Sequence, residues 1–279
     1  MDINYDILDQ SSTAIKEGGQ LSNNTMNDNQ FGFLKETVEQ QFKGQFPNAD
    51  FESAWKEYSA LQDFKISQNV ETVGGISEEA HFVMRVITEH FMTEAFKAMK
   101  IDLNDPNVAG PKGTPYRITK MYTGAHLNDS TELLSGRWAK KPQVAYFPNE
   151  HNQRFPITKR VDIVSTCSHH LAPFSTMFRD DAYCIVSYIP SNKLLGISKL
   201  QRIVDWVARR GHLQEDLTNM IYNEISTVAE TDSVYVRLSG LMHTCESLRG
   251  TQSKDGSFTS EFYGGEFENI DLRIQVMQD

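Results

Sequence analysis

The sequence has no long apolar run: nothing in it approaches the roughly 18 apolar residues that mark a membrane-spanning helix. Its first residues, Met1-Asp2-Ile3-Asn4-Tyr5-Asp6, carry neither the basic region nor the apolar stretch of a secretory signal. Cysteine is scarce, with only Cys167, Cys184 and Cys245 among 279 residues. An odd, low number without a secretory signal argues against a disulfide framework and for a reducing, cytoplasmic compartment. Cations are in deficit too: 27 Lys and Arg against 37 Asp and Glu leave a formal net charge of -10. General nucleic-acid binding needs clustered Lys and Arg to displace counterions, so no nucleic-acid partner is expected, and no membrane partner. No internal repeat occurs.

What remains is the composition of a packed globular body, long enough for one large domain or two modest ones. Residues 1–75 read as a polar extension. It starts with a solvated tail rich in Asn, Gln, Ser and Asp over about the first 30 residues, typified by Ser22-Asn23-Asn24-Thr25. Phe33, Leu34, Val38 and Phe42, then Phe51, Ala54, Trp55 and Tyr58, fall at helical spacing, which predicts a short helical hairpin broken near Pro47. Gly74-Gly75 punctuates the chain before a main domain over 76–279, with N-terminal helices across 77–125. Ser77 reads as a helix cap followed by Glu78 and Glu79 in the first turn, with Phe82, Val83, Val86 and Ile87 on the apolar face. Thr114-Pro115 opens another helix, and 125–155 reads as loops.

Farther on, Val161 to Ser165 alternates like a strand that delivers Cys167 at its end. Tyr183 to Ile189 and Ser233 to Leu241 read as further strands, with Phe258 to Phe267 another. Ser198 reads as the cap of a helix stopped by Gly211, and a longer helix follows with Leu213, Leu217, Ile221, Ile225 and Val228 inward. Strands and helices alternate in an α+β pattern with its core at about 155–268.

Two clusters carry chemistry. Cys167-Ser168-His169-His170 places a thiolate and an imidazole close enough to bind one ion from a single turn, and His243-Thr244-Cys245 offers a third ligand from a distant segment. Cys-x-x-His alone is a weak signal, more often a small buried thiol beside a surface histidine pair, and the second His-x-Cys cluster is what raises the metal reading. With Cys167, His170 and Cys245 around zinc, a fourth position is left open for water, and His169 and His243 are surplus imidazoles able to move protons near neutrality. The chemistry implied is hydrolysis at an electrophilic carbon. Cys184, inside an apolar strand, reads as core.

The other cluster is Gly196-Ile197-Ser198-Lys199-Leu200-Gln201-Arg202. It surrounds a helix N-terminus with a hydroxyl, an ammonium and a guanidinium, which is either an anion site or an ordinary cap with solvated charges. Arg117, Lys120 and Arg249 are further cations that the fold could gather. Gln214-Glu215 opens the next helix, where a carboxylate either caps it or accepts two N–H donors from a guanine edge.

Taken in order, Thr114-Pro115-Tyr116-Arg117-Ile118-Thr119-Lys120-Met121-Tyr122, Ser165-Thr166-Cys167-Ser168-His169-His170, Tyr188-Ile189-Pro190, Gly196 to Leu200, Leu213-Gln214-Glu215 and His243-Thr244-Cys245 with Arg249-Gly250 resemble type I GTP cyclohydrolase over roughly residues 77–268. The resemblance implies a tunnelling fold, an antiparallel sheet backed by helices, in a homo-oligomer that is typically a decamer of two pentamers with sites between subunits. It implies conversion of GTP and water to 7,8-dihydroneopterin triphosphate and formate, feeding pterin, folate or 7-deazaguanine synthesis. By position, Cys167, His170 and Cys245 match the Zn2+ ligands, and His169 and His243 the acid/base histidines. Glu215 with Gln214 matches the guanine anchor. Arg117, Lys120, Leu195, Ile197, Ser198, Lys199, Arg202 and Arg249 match the rest of the substrate-binding set.

The chain departs from that pattern at Ser168, where the family usually has Glu, in a longer segment from Phe174 to Tyr183, and in its first 75 residues. These departures leave open a nucleotide-binding regulatory paralogue without turnover, which the presence of both His169 and His243 opposes. A related zinc-free nitrile reductase with a nucleophilic cysteine is opposed by the paired Cys167-x-x-His170 and His243-x-Cys245.

Overall fold

A computed structural model describes residues 28–249, 251–253 and 256–278, and the solvated tail expected at the N-terminus lies almost entirely outside them. The described residues divide into two compact units, one up to Phe51 and the other from Glu52 onward. In the first, α1 (Asp28–Gln45) buries Leu34, Val38 and Phe42, one residue per turn on a single face. The Phe42 ring packs on Phe46 and Phe51 at 5.2 and 5.4 Å. The break expected near Pro47 is present, and α2 (Phe51–Ala60) follows it.

In the second unit, α3 (Glu78–Ala98) starts as the sequence predicts, with Ser77 Oγ accepting from the Ala80 N–H at 3.1 Å. Next, α4 (Thr114–Thr123) has Pro115 in its first turn, where a missing N–H costs nothing. Short β1 (Tyr146–Pro148) pairs with β6 (Lys193–Leu195) apart from the main sheet.

The main sheet holds seven strands. Six run in the order β2 (Ile157–Val161), β5 (Tyr183–Tyr188), β8 (Val234–His243), β4 (Pro173–Ser175), β3 (Val164–Cys167) and β7 (Gly211–His212), and β9 (Phe258–Tyr263) adds onto β8. Pairing is antiparallel except between β3 and β7. The ten-residue β8 is the spine, because its successive parts pair with β5, β4 and β9.

Period-2 alternation splits β5 and β8 into two faces. Cys184, Val186, Val236 and Leu238 meet the buried stripes of α5 (Ile197–Ala208) and α6 (Gln214–Ala229), among them Ile203, Val207, Leu217, Ile221 and Ile225. Each fully buried aliphatic side chain contributes roughly 1.5–3 kcal/mol, so this layer dominates the stability of the unit. Ile185 and Tyr235 face the other way, against Phe267 and Val276, the latter on α8 (Ile270–Gln278).

Several local expectations need correction. Leu213, expected inward, is 42% exposed and caps α6 from outside, and the strand expected across Phe258 to Phe267 ends at Tyr263. The strand expected across 161–165 is two strands. At Asp162 and Ile163 the chain leaves β5 for β4, and side chains take over the N–H groups: Gln201 Oε1 that of Asp162 at 3.1 Å, Thr176 Oγ1 that of Ile163 at 2.9 Å. Ser198 is not the cap of α5. Gly196, in extended conformation, takes that place and Ser198 lies inside the first turn. Gly211 does not stop α5, which ends at Ala208; it belongs to β7, where a Cβ would sit 2.5 Å from the Ile66 side chain.

Candidate metal centre and its surroundings

β3 ends in a tight turn that presents two donors. The Leu171 N–H donates to Cys167 O at 2.9 Å and the Cys167 N–H to Ala172 O at 2.8 Å, closing a loop around His169 and His170. Leu171 sits at φ 52°, a left-handed conformation uncommon for a side chain of its size. β4 follows and pairs with the end of β8 in the register Phe174↔His243, which sets α7 (Thr244–Ser247) and Cys245 beside the turn.

The ligand atoms of Cys167, His170 and Cys245 accordingly lie within 4.8 Å of one another. Cys167 Sγ is 3.8 Å from His170 Nδ1. Tetrahedral zinc holds sulfur and imidazole donors about 3.5–3.8 Å apart, given its bond lengths. Two thiols and an imidazole at this separation, from Cys167 (buried), Cys245 (half-buried) and His170 (exposed), are a donor set that fits zinc. Burial, reinforced by the facing Cys167 thiol, pushes the Cys245 thiol above its ordinary range. Cys184 is wholly buried in the core, where desolvation raises its thiol well out of reach of ionisation.

The two surplus histidines have different surroundings. His169 is exposed on the turn, with its ring 6.2 Å from that of His170. His243 is half-buried and stacked on Phe174 at 4.4 Å and 12°. Its Nε2 lies 2.9 Å from Gln214 Oε1. The Gln214 amide donates from Nε2 to Phe258 O at 3.2 Å and to Ser260 Oγ at 3.1 Å. A carbonyl can only accept, so Oε1 must face His243 and receive the proton of its Nε2. His243 is thereby set in the Nε2–H tautomer with Nδ1 as its base. Burial lowers its pKa, while the Glu246 and Glu215 carboxylates pull it back up.

Glu215 is exposed in the first turn of α6, one residue from the buried Gln214. Of the expected cations, Lys120 lies 3.9 Å from Glu132, and Arg202 lines a cavity of about 440 Å³ with Asn128, Lys140, Trp206 and Arg209. Lys199 is half-buried; Arg117, Ser198 and Arg249 are exposed. Leu195 is buried and Ile197 is 80% exposed. No hydrogen bond or ion pair among the described residues ties these groups to the three metal donors. The structure thus joins Cys167, His170 and Cys245, and separately Gln214 and His243, and carries the expected cations on α4, α5 and the segment after α7. Phe174 and Tyr122, whose hydroxyl donates to Leu171 O at 2.8 Å, escaped the sequence reading because an apolar residue and a helix tyrosine carry no signal of their own.

Comparison with known proteins adds a second line of observation. The family model for GTP cyclohydrolase I matches residues 89–279. A GTP cyclohydrolase 1 of Sodalis glossinidius is 31% identical over 217 residues, 77% of this chain and 90% of the relative. One of Shewanella baltica is 32% identical over 183 residues, 65% and 77% of the two chains, and one of an Enterobacter species is 31% identical over 221 residues, 77% and 90%.

Proposed function

The chain belongs to the GTP cyclohydrolase I family, and on that footing we propose that it converts GTP and water to 7,8-dihydroneopterin triphosphate and formate with zinc at Cys167, His170 and Cys245. The antiparallel sheet backed by α5 and α6 is the tunnelling fold of that family. The observation that carries the reading is the convergence of three zinc-type donors beside an oriented histidine, from segments far apart in the chain.

When bound, zinc supplies Lewis acidity that brings a water into the range where it loses a proton at neutral pH. The remaining work belongs to the protein. His243, held neutral by burial and oriented by Gln214, offers Nδ1 to take a proton and later return it as the imidazole ring of the purine opens. His169, exposed on the ligand turn, is the second acid/base imidazole of the proposed site. Glu215 presents a free carboxylate to the two N–H donors of the guanine edge. Gln214 acts on His243 rather than on guanine, since both ends of its amide already have protein partners.

The triphosphate goes to Ser198, Lys199 and Arg202 on the first turns of α5, where helix N–H groups and the dipole favour anions. Arg117, Lys120 and Arg249 complete that set. The family resemblance points to a homo-oligomer, a decamer in the expected form, in which neighbouring subunits share each site. The product then enters pterin, folate or 7-deazaguanine synthesis in the cytoplasm. The test is direct: purified protein is incubated with GTP while pterin absorbance and formate are followed with and without a chelator. Zinc uptake without either product would favour a regulatory paralogue instead.

A further inference from the structure

We propose that Tyr122 is a positioning residue for the metal centre, its hydroxyl holding the turn between Cys167 and His170 in the shape that brings two donors together. The inference rests on the zinc reading above and assigns a role outside the ligand set.

The turn contains a cost. Leu171 is held at φ 52°, where its Cβ crowds its own backbone. Leu171 is 36% exposed, so it is no core residue fixed by packing on all sides. Such a conformation persists only where surrounding bonds over-determine it. Two of those bonds are local, from the Leu171 N–H to Cys167 O and from the Cys167 N–H to Ala172 O. The third comes from the Tyr122 hydroxyl on α4, 2.8 Å from Leu171 O and 49 residues away in sequence. It grips the carbonyl of the strained residue itself, directly after His170. Without it two local bonds alone hold Leu171 at positive φ, and the turn relaxes so that His170 Nδ1 moves away from Cys167 Sγ.

The same helix carries Arg117 and Lys120, so the tyrosine also ties a cation-bearing element to the metal turn. Tyr122 is only partly buried, and its ring can stay in place when the hydroxyl is removed.

Zinc affinity is measured by competition with a chromophoric chelator for the wild type, Tyr122→Phe and the double variant Tyr122→Phe/Leu171→Gly. Cobalt(II) ligand-field spectra and thermal unfolding of the metal-free proteins are recorded alongside. Tyr122→Phe is expected to lose about tenfold in zinc affinity, the usual effect of removing a group that orients a metal ligand. Its cobalt bands shift while metal-free unfolding stays at the wild-type temperature. Glycine takes φ 52° without strain, so the double variant recovers affinity. A Tyr122→Phe affinity and cobalt spectrum indistinguishable from wild type would overturn the proposal, and so would a loss that Leu171→Gly leaves uncorrected. A wild type that takes up no zinc removes the zinc reading, and this inference with it.

Discussion

Gln214 and Glu215 are adjacent in sequence, yet one is 2% exposed with its amide spent on protein partners and the other faces solvent. The pair therefore separates into two kinetic roles. Gln214→Leu should lower kcat roughly a hundredfold, the scale of one acid/base group put out of position, while KM for GTP stays near wild type. Glu215→Ala should act mainly on KM, through lost ground-state binding. A Gln214→Leu enzyme with raised KM and intact kcat would return Gln214 to the substrate.

His81 shows what a buried imidazole does without a catalytic task. It is 1% exposed, donates from Nε2 to Thr123 O at 3.1 Å, and burial brings its pKa down from 6.5 to about 4. Between those values the unfolded chain binds a proton that the folded protein refuses, so stability is complete above pH 6.5 and declines as pH falls toward 4. The full difference is on the order of 3 kcal/mol at one pKa unit per 1.36 kcal/mol. Denaturant melts from pH 7 to 4 should show that limb, to which the buried His212, also brought down to about 4, adds its share, and His81→Gln should make it shallower; an unchanged slope would mean that other groups cause it.

At the scale of elements, the site depends on a junction outside the sheet. Asn69 Nδ2 donates to Gly136 O at 2.8 Å, and Arg210 Nε donates to the same oxygen at 3.0 Å. The Gly211 N–H reaches Ile66 O at 3.2 Å, so the segment around 66–69 braces β7, which in turn pairs with Cys167. A Cβ on Gly136 would lie 2.2 Å from Trp206 O, a backbone atom that cannot yield. Gly136→Ala should therefore cost on the order of 3 kcal/mol, as overpacking does, read as a lower urea midpoint. A variant within experimental error of wild type would show that the junction relaxes freely.

The strongly periodic elements were legible in the sequence: the Ser77 cap and its helix, the helix behind Leu217 and Ile221, and the strands around Val186 and Val236 all stand where their patterns put them. Ser198 does not take the cap position that its residue type suggests, because Ser and Gly are both good caps and only the extended conformation of Gly196 decides between them. The break at Asp162 was hidden because a strand can change partners without losing its alternation. The metal donors were legible as residue types, but their meeting depends on the β4–β8 register. The use of Gln214 depends on Phe258 and Ser260, and that of Tyr122 on a carbonyl, neither of which leaves a periodic trace.

For the whole molecule, a chain of net charge -10 that binds a triphosphate must concentrate its few cations. Among the described residues, the cations proposed for that task are spread over α4, α5 and the segment after α7. If the proposed homo-oligomer completes that set, sedimentation in dilute buffer should give an oligomer, with Arg117→Ala raising KM for GTP without dissociating it. A fully active 31.8 kDa monomer would contradict shared sites.

The central claim is that Cys167, His170 and Cys245 hold the metal on which GTP ring opening depends. It is tested most directly by following formate and pterin formation from GTP in the wild type and in Cys245→Ala, before and after chelation and after zinc is restored. The account predicts equal amounts of formate and pterin from the wild type, lost on chelation and recovered with zinc, and neither product from Cys245→Ala under any condition. Product formation that survives both chelation and the loss of Cys245 would contradict it.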